Sequence, residues 1–131
     1  MNFQLDTNAL LRRMIAPRKL SREQNRVLDE LELRGQPFAI SAITLVELSL
    51  LGAEDSRIRQ GASRTLELIE ESPGCEVLPI TVDIAQEMSY VAGALRDPWD
   101  SAIVATARVH HLRLLTSDRR IAESGLVSVV E

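Results

Sequence analysis

A chain of 131 residues is long enough for one domain and too short for two, and it reads as a single unit over residues 1–131. Apolar residues make up 45% and charged residues 26%, ordinary values for a globular chain that exclude intrinsic disorder. Fifteen Lys and Arg against nineteen Asp and Glu leave a net charge of −4, which by itself counts against a polybasic nucleic-acid binder.

In chain order, Phe3-Gln4-Leu5 predicts a short first strand ending at Asp6-Thr7-Asn8, followed by a helix from Ala9 to Ile15 that stops near Pro17. The next helix opens at Ser21, where Gln24 completes a capping box, and carries Val27, Leu28 and Leu31 on one face before Gly35 ends it. Phe38-Ala39-Ile40 predicts a second strand and is followed by a helix bearing Leu45, Leu48 and Leu51. Another helix spans Asp55 to Glu71 and stops at Pro73-Gly74. Val77 to Ile80 predicts a third strand, placed at a sheet edge by Pro79. Ile84, Met88, Val91, Ala92 and Leu95 form one helical stripe, and Asp97-Pro98 starts a buried helix from Trp99 to Val109. Leu112–Thr116 and Val127–Val130 supply the last strands, with a short helix from Arg119 between them. Strands alternating with helices imply a three-layer α/β/α sandwich around a mainly parallel sheet.

The lone Cys75 excludes a disulfide framework and a Cys-rich zinc site and fits a reducing compartment. No basic-then-apolar leader pattern opens the sequence, and the most apolar stretch, 42–53, is broken by Glu47 and too short to span a bilayer. The expectation is a cytoplasmic protein without a membrane partner.

Four acids fall at predicted junctions. Asp6 follows the first strand, Glu47 lies early in the helix after the second, Asp100 opens the buried helix, and Asp118 follows the fourth strand. Singly, each has a structural explanation. Asp6 and Asp118 fit as N-caps, Glu47 as the third residue of a capping box begun by Thr44, and Asp97 as a cap ahead of Pro98. Together they converge, because crossover handedness puts every strand-to-helix junction of a parallel sheet at its carboxyl edge, where ligands bind. Two carboxylates about 4 Å apart repel by on the order of 4 kcal/mol at a moderate effective dielectric. Such a cluster shifts its pKa values or recruits cations, and oxygen-only donors select hard ions, Mg²⁺ or Mn²⁺.

Four segments carry a family resemblance: Leu5-Asp6-Thr7-Asn8-Ala9-Leu10, Ser41-Ala42-Ile43-Thr44-Leu45-Val46-Glu47-Leu48, the run from Arg96-Asp97-Pro98-Trp99-Asp100 through Ala107, and Leu114-Leu115-Thr116-Ser117-Asp118. In order and across nearly the whole chain, they resemble the motif blocks of PIN-domain nucleases, and most closely the VapC-type ribonuclease toxins of prokaryotic toxin–antitoxin pairs. The resemblance implies catalytic, metal-holding roles for Asp6, Glu47, Asp100 and Asp118. Thr7 or Asn8 would hold Asp6, Asp97 would support Asp100, and Thr116 would orient a ligand or phosphate. One departure stands out: Ser101 occupies a position where many relatives carry arginine.

The implied chemistry is hydrolysis of RNA phosphodiester bonds with one or two Mg²⁺ or Mn²⁺ ions, leaving a 5′-phosphate and a free 3′-hydroxyl. The implied partners are an RNA substrate, a cognate antitoxin that blocks the acidic pocket, and a second copy in a homodimer. Two other readings remain open: a PIN-like scaffold that binds RNA or a partner without cutting, and a metal-dependent phosphatase or phosphotransferase. The latter usually needs a second acid two residues after the first, where this chain has Asn8, and a lysine near the site, for which Lys19 is poorly placed. His110-His111 could serve metal-free cleavage, but adjacent helical residues point about 100° apart.

Arg12, Arg13, Arg18, Lys19, Arg22 and Arg26 crowd a 15-residue window with Glu23 as its only acid. They form either a solvated helix face or, through Arg12, Arg13, Arg18 and Lys19, a phosphate-contacting rim that Arg119 and Arg120 would extend. Without the four candidate acids, acids and bases balance at 15 each. The net acidity therefore stops counting against an RNA substrate, since one metal pocket can hold all of it.

Overall fold

The computed structural model describes residues 1–131. The elements are β1 (Phe3–Leu5), α1 (Thr7–Ile15), a single 3₁₀ turn (Pro17–Lys19), α2 (Arg22–Leu33), β2 (Phe38–Ser41), α3 (Ala42–Glu54), α4 (Ser56–Glu71), β3 (Cys75–Leu78), α5 (Val82–Val91), α6 (Pro98–Val109), β4 (Arg113–Leu115), α7 (Arg119–Ser124) and β5 (Val129–Val130). All strand pairs are parallel, in the order β3-β2-β1-β4-β5. The chain winds outward from β1 to β3, then crosses back to β4 on the other side of β1. The switch point of this doubly wound sheet therefore lies between β1 and β4. No helix is long and apolar enough to cross a membrane.

Strand alternation sorts the core into two layers. Leu5, Phe38, Ile40, Leu115 and Val130 face one side, where they meet Ala9 and Leu10 of α1, Val27, Leu28 and Leu31 of α2, and Ile69 of α4. Ala39 and Leu114 face the other side, covered by Val91 of α5, Ile103, Val104 and Ala107 of α6, and Ile121 of α7. Helix α3 straddles both layers, with Leu48 packed in the first and Ile43 against the second. The expected sandwich of three layers is thus present.

Local chemistry moved several boundaries. Helix α1 begins two residues before the expected start, because Asp6 caps it by accepting from the Ala9 N–H at 2.8 Å. Strand β3 ends at Leu78 instead of reaching Ile80: Pro79 has no N–H for the ladder. It is an edge strand, as Pro79 indicated. The stripe ending at Leu95 is not one helix, since α5 stops at Val91 and Leu95 returns to the same core after a turn. Ser41, not Thr44, caps α3, so Glu47 is no capping-box residue. The capping box of Ser21 and Gln24 is present, and Gly35 takes the left-handed conformation (φ 65°) just past α2.

Gln24 does more than cap. Fully buried, it accepts from the Ser21 N–H at 3.1 Å and donates through Nε2 to the carbonyls of Thr116 (3.3 Å) and Val130 (3.0 Å). One amide thereby ties α2 to the ends of β4 and β5. Replacing Gln24 by Leu leaves both carbonyls without that donor and is expected to cost about 1–3 kcal/mol of stability. Urea unfolding reads this directly, and an unchanged midpoint would show that the bridge contributes nothing.

Candidate functional site

The winding brings the four acids to one end of the molecule. Asp6 leaves the carboxyl end of β1 and Asp118 lies three residues past the end of β4, the two strands that flank the switch point. Helix α6 precedes the parallel strand β4 and must run antiparallel to it, so its first turn, with Asp100, lies at the same edge. Helix α3 follows β2 directly and carries Glu47 in its second turn. A cavity of about 210 Å³ is lined by Asp6, Thr7, Asn8, Arg12, Glu47, Asp100, Ile103, Ser117 and Asp118.

Each acid is held by a specific local device. Asp6 is only 9% exposed. Burial pushes its carboxyl pKa above the ordinary value, Thr116 and the Ala9 N–H pull it down, and the charges of Glu47 and Asp118 push it up again. Glu47 accepts a 2.5 Å bond from the Thr7 hydroxyl, which also stands 3.1 Å from the Thr44 hydroxyl. Thr7 has one proton and gives it to Glu47, so Thr44 is the donor in the second contact. Asp118 caps α7 by accepting from the Arg120 N–H at 2.9 Å. The guanidinium of Arg120 holds its pKa below the ordinary carboxylate range.

Asp100 is raised as well. Burial, followed by the charges of Asp97 and Asp118, raises its pKa to about 6 against the opposing pull of Arg120. Asp97 does not line the cavity. It caps α6 by accepting from the N–H groups of Trp99 (2.8 Å) and Asp100 (3.3 Å). It acts on the cavity through its charge on Asp100.

A model of the PIN domain matches residues 4–125. The chain belongs to the PIN domain family. Comparison with curated proteins returns no significant match. Among solved structures, the PIN chain is similar to one from a VapBC2 complex of Rickettsia felis bound to a promoter DNA fragment, with a TM-score of 0.75 at 17% identity over 99% of this chain and 98% of that one. It is also similar to a chain of FitAcB from Neisseria gonorrhoeae, with a TM-score of 0.71 at 24% identity over 98% and 96% of the two chains. A toxin–antitoxin complex from Klebsiella pneumoniae contains a chain with 26% identity and a TM-score of 0.66, covering 99% of this chain and 97% of that one.

Within this PIN domain the expected supporting residues fall into place unevenly. Thr7 holds Glu47, not Asp6, and Asn8 is exposed on the cavity rim. Thr116 is fully buried and accepts from the Asp118 N–H at 3.0 Å, so it shapes the turn between two acids. Ser101 points away from the cavity and donates to the Leu95 carbonyl at 3.0 Å. Of the basic residues, Arg12 lines the cavity and donates to the Ser117 hydroxyl at 3.2 Å. Arg13 turns to α2, pairing with Asp29 and Glu32 at 3.0 Å each. Arg18 and Lys19 are exposed in the turn beyond α1, about 14 Å along the helix axis from Asp6. Arg119 pairs with Glu123 outside the cavity, while Arg120 reaches the carboxylates. His110 and His111 lie at the far end of α6, about 15 Å along its axis from Asp100.

No three acidic side chains stand ready as a metal-ligand set. Their oxygens are engaged by internal donors: Thr7 on Glu47, the Ala9 N–H on Asp6, and Arg120 on Asp118. The donor chemistry nevertheless fits a hard divalent cation, because the cavity is lined by four carboxylates and no Cys or His.

The raised Asp100 pKa has a defined signature in the cation-free protein. Its folded value lies above the unfolded one, so the folded state holds the extra proton between about pH 4 and 6. The contribution of Asp100 to stability is therefore lost as pH rises through that window. The parent should lose melting temperature relative to Asp100→Asn between pH 4 and 6, and the Asp100 carboxyl should titrate near 6 by NMR. A midpoint near 4 would contradict the burial of this carboxyl.

Proposed function

We propose that this PIN domain is a VapC-type toxin: a metal-dependent endoribonuclease that hydrolyses RNA phosphodiester bonds and is restrained by a cognate antitoxin. The observation that carries the reading is the cavity at the switch point, where Asp6, Glu47, Asp100 and Asp118 share one space with Arg12 at its rim. Asp6, Asp100 and Asp118 would hold one or two Mg²⁺ or Mn²⁺ ions, with Glu47 as a direct or water-mediated ligand. A bound cation lowers the pKa of a water and offsets charge on the attacking and leaving oxygens.

The chain's own groups have separable roles in this reading. One oxygen of Glu47 is held by Thr7, which leaves the other to orient the attacking water. Arg12 has its guanidinium at the cavity and contacts the phosphate, a positioning role without sequence preference. Attack by water on phosphorus, with the P–O3′ bond breaking and the 3′-oxygen leaving and taking up a proton, gives a 5′-phosphate and a 3′-hydroxyl. The phosphotransferase reading loses support, since Lys19 does not line the cavity and Asn8 stands where a second acid would be needed.

The antitoxin partner is supported by the likeness to chains of VapBC2 from Rickettsia felis and of the toxin–antitoxin complex from Klebsiella pneumoniae. Two apolar surfaces, Val46 and Leu50 on α3 and Val82 and Tyr90 on α5, are exposed and available to an antitoxin and to a second copy in a homodimer.

Purified protein incubated with structured RNA tests the reading. Cleavage is expected with Mg²⁺, to stop with EDTA, and to fall by more than about 100-fold in Asp6→Asn and Asp100→Asn, exceeding the loss typical of residues that merely support a metal ligand. EDTA-resistant cleavage or 2′,3′-cyclic phosphate ends would overturn the mechanism. Activity surviving both substitutions would overturn the site.

A further inference from the structure

Arg120 stands out among the basic residues near the cavity because two candidate metal ligands share it. It grips Asp118 side-on along one edge of the guanidinium, Nε at 3.4 Å from Oδ1 and Nη2 at 3.1 Å from Oδ2. The same Nη2 lies 3.5 Å from Oδ2 of Asp100. These carboxylates come from different elements, α6 and the turn before α7, so the guanidinium bridges the two walls of the cavity. Its side chain is 73% exposed, against 21% for Asp100 and 24% for Asp118. The arginine thus enters from solvent, and its side-chain hydrogen bonds and ion pairs go to those two acids.

We infer that Arg120 is a built-in counter-ion of the acidic cavity, which competes with the divalent cation for Asp100 and Asp118 and must swing away before both can ligate it. The inference rests on the proposed metal reading. Arg120 faces Oδ2 of each acid, and an ion bound by the pair would meet a like charge at that seat. Guanidinium and cation cannot both be neutralised by the same oxygens at contact distance, so one yields. Arg120 is the group free to move, since its exposed stem allows it to leave without disturbing the core. It therefore raises the cation concentration at which the cavity fills and keeps the two acids paired until then. Arg119 gives an internal comparison: it carries the same charge one residue earlier, but pairs with Glu123 outside the cavity.

Titration of the cation-free protein with Mn²⁺ by calorimetry tests the competition without relying on RNA cleavage. Arg120→Ala is expected to bind Mn²⁺ about tenfold more tightly, from the loss of one like charge at close range in a solvated site. Arg120→Gln keeps most of the side-chain length and should show the same tightening, which guards against a folding defect in the alanine variant. Arg119→Ala changes the net charge equally and should stay within about twofold of the parent. The rise in melting temperature on adding Mn²⁺ should be larger for both Arg120 variants than for the parent. If the parent binds Mn²⁺ and both Arg120 variants bind it equally or more weakly, the competition is overturned while the metal reading stands. If the parent binds none, or binds it undiminished after Asp6→Asn, the metal reading fails and takes this inference with it.

Discussion

Mutual repulsion among Asp6, Glu47, Asp100 and Asp118 is the constraint around which this end of the molecule is built. Four carboxylates around one small cavity would separate if they were free to do so, and the fold denies them that freedom by giving each a second task. Asp6 and Asp118 cap helices α1 and α7, so their oxygens are anchored to backbone N–H groups. Asp100 is fixed by the first turn of α6, whose start is set by Asp97 and Pro98. Glu47 is anchored by Thr7 and, through it, by Thr44. Three of the four thus stand at helix N-termini, where the helix dipole favours negative charge and offsets part of the repulsion.

The parallel sheet makes this arrangement possible. Its strands point the same way, so every strand end and every helix start meets at one edge, and the switch between β1 and β4 opens a crevice there. Packing on both faces then makes the edge rigid, with α3 touching both layers and Gln24 locking the ends of β4 and β5. The result is a pocket walled by four acids. On the proposed reading an anionic RNA approaches such a pocket only when cations neutralise it, which makes the metal the link between the electrostatics of the fold and its chemistry.

Much of this was legible in the sequence because it depends on short-range rules. The Ser21–Gln24 box and the Asp97-Pro98 start each rest on a few adjacent residues, and strand–helix alternation with the crossover rule of parallel sheets places Asp6, Glu47, Asp100 and Asp118 at one edge. What escaped depends on side-chain direction across elements. Nothing in the run Asp118-Arg119-Arg120 says which arginine turns inward, since a short helix sends neighbours about 100° apart and only the position of α6 decides. Thr7 follows Asp6 in sequence yet serves Glu47, forty positions away, because the start of α1 at Thr7 aims its hydroxyl at α3. Arg13, adjacent to Arg12, is drawn off by Asp29 and Glu32 of α2, a competition visible only once the helices are packed.

The central claim is that the four acids form one cation-binding pocket, and the most direct measurement is crystallographic. A crystal of the protein soaked in Mn²⁺ should give anomalous density in the cavity, with carboxylate oxygens of Asp6, Asp100 and Asp118 at coordination distance, about 2.0–2.2 Å for a small hard cation. Density elsewhere, or a cavity that stays free of manganese while Mn²⁺ binds the protein in solution, would contradict it.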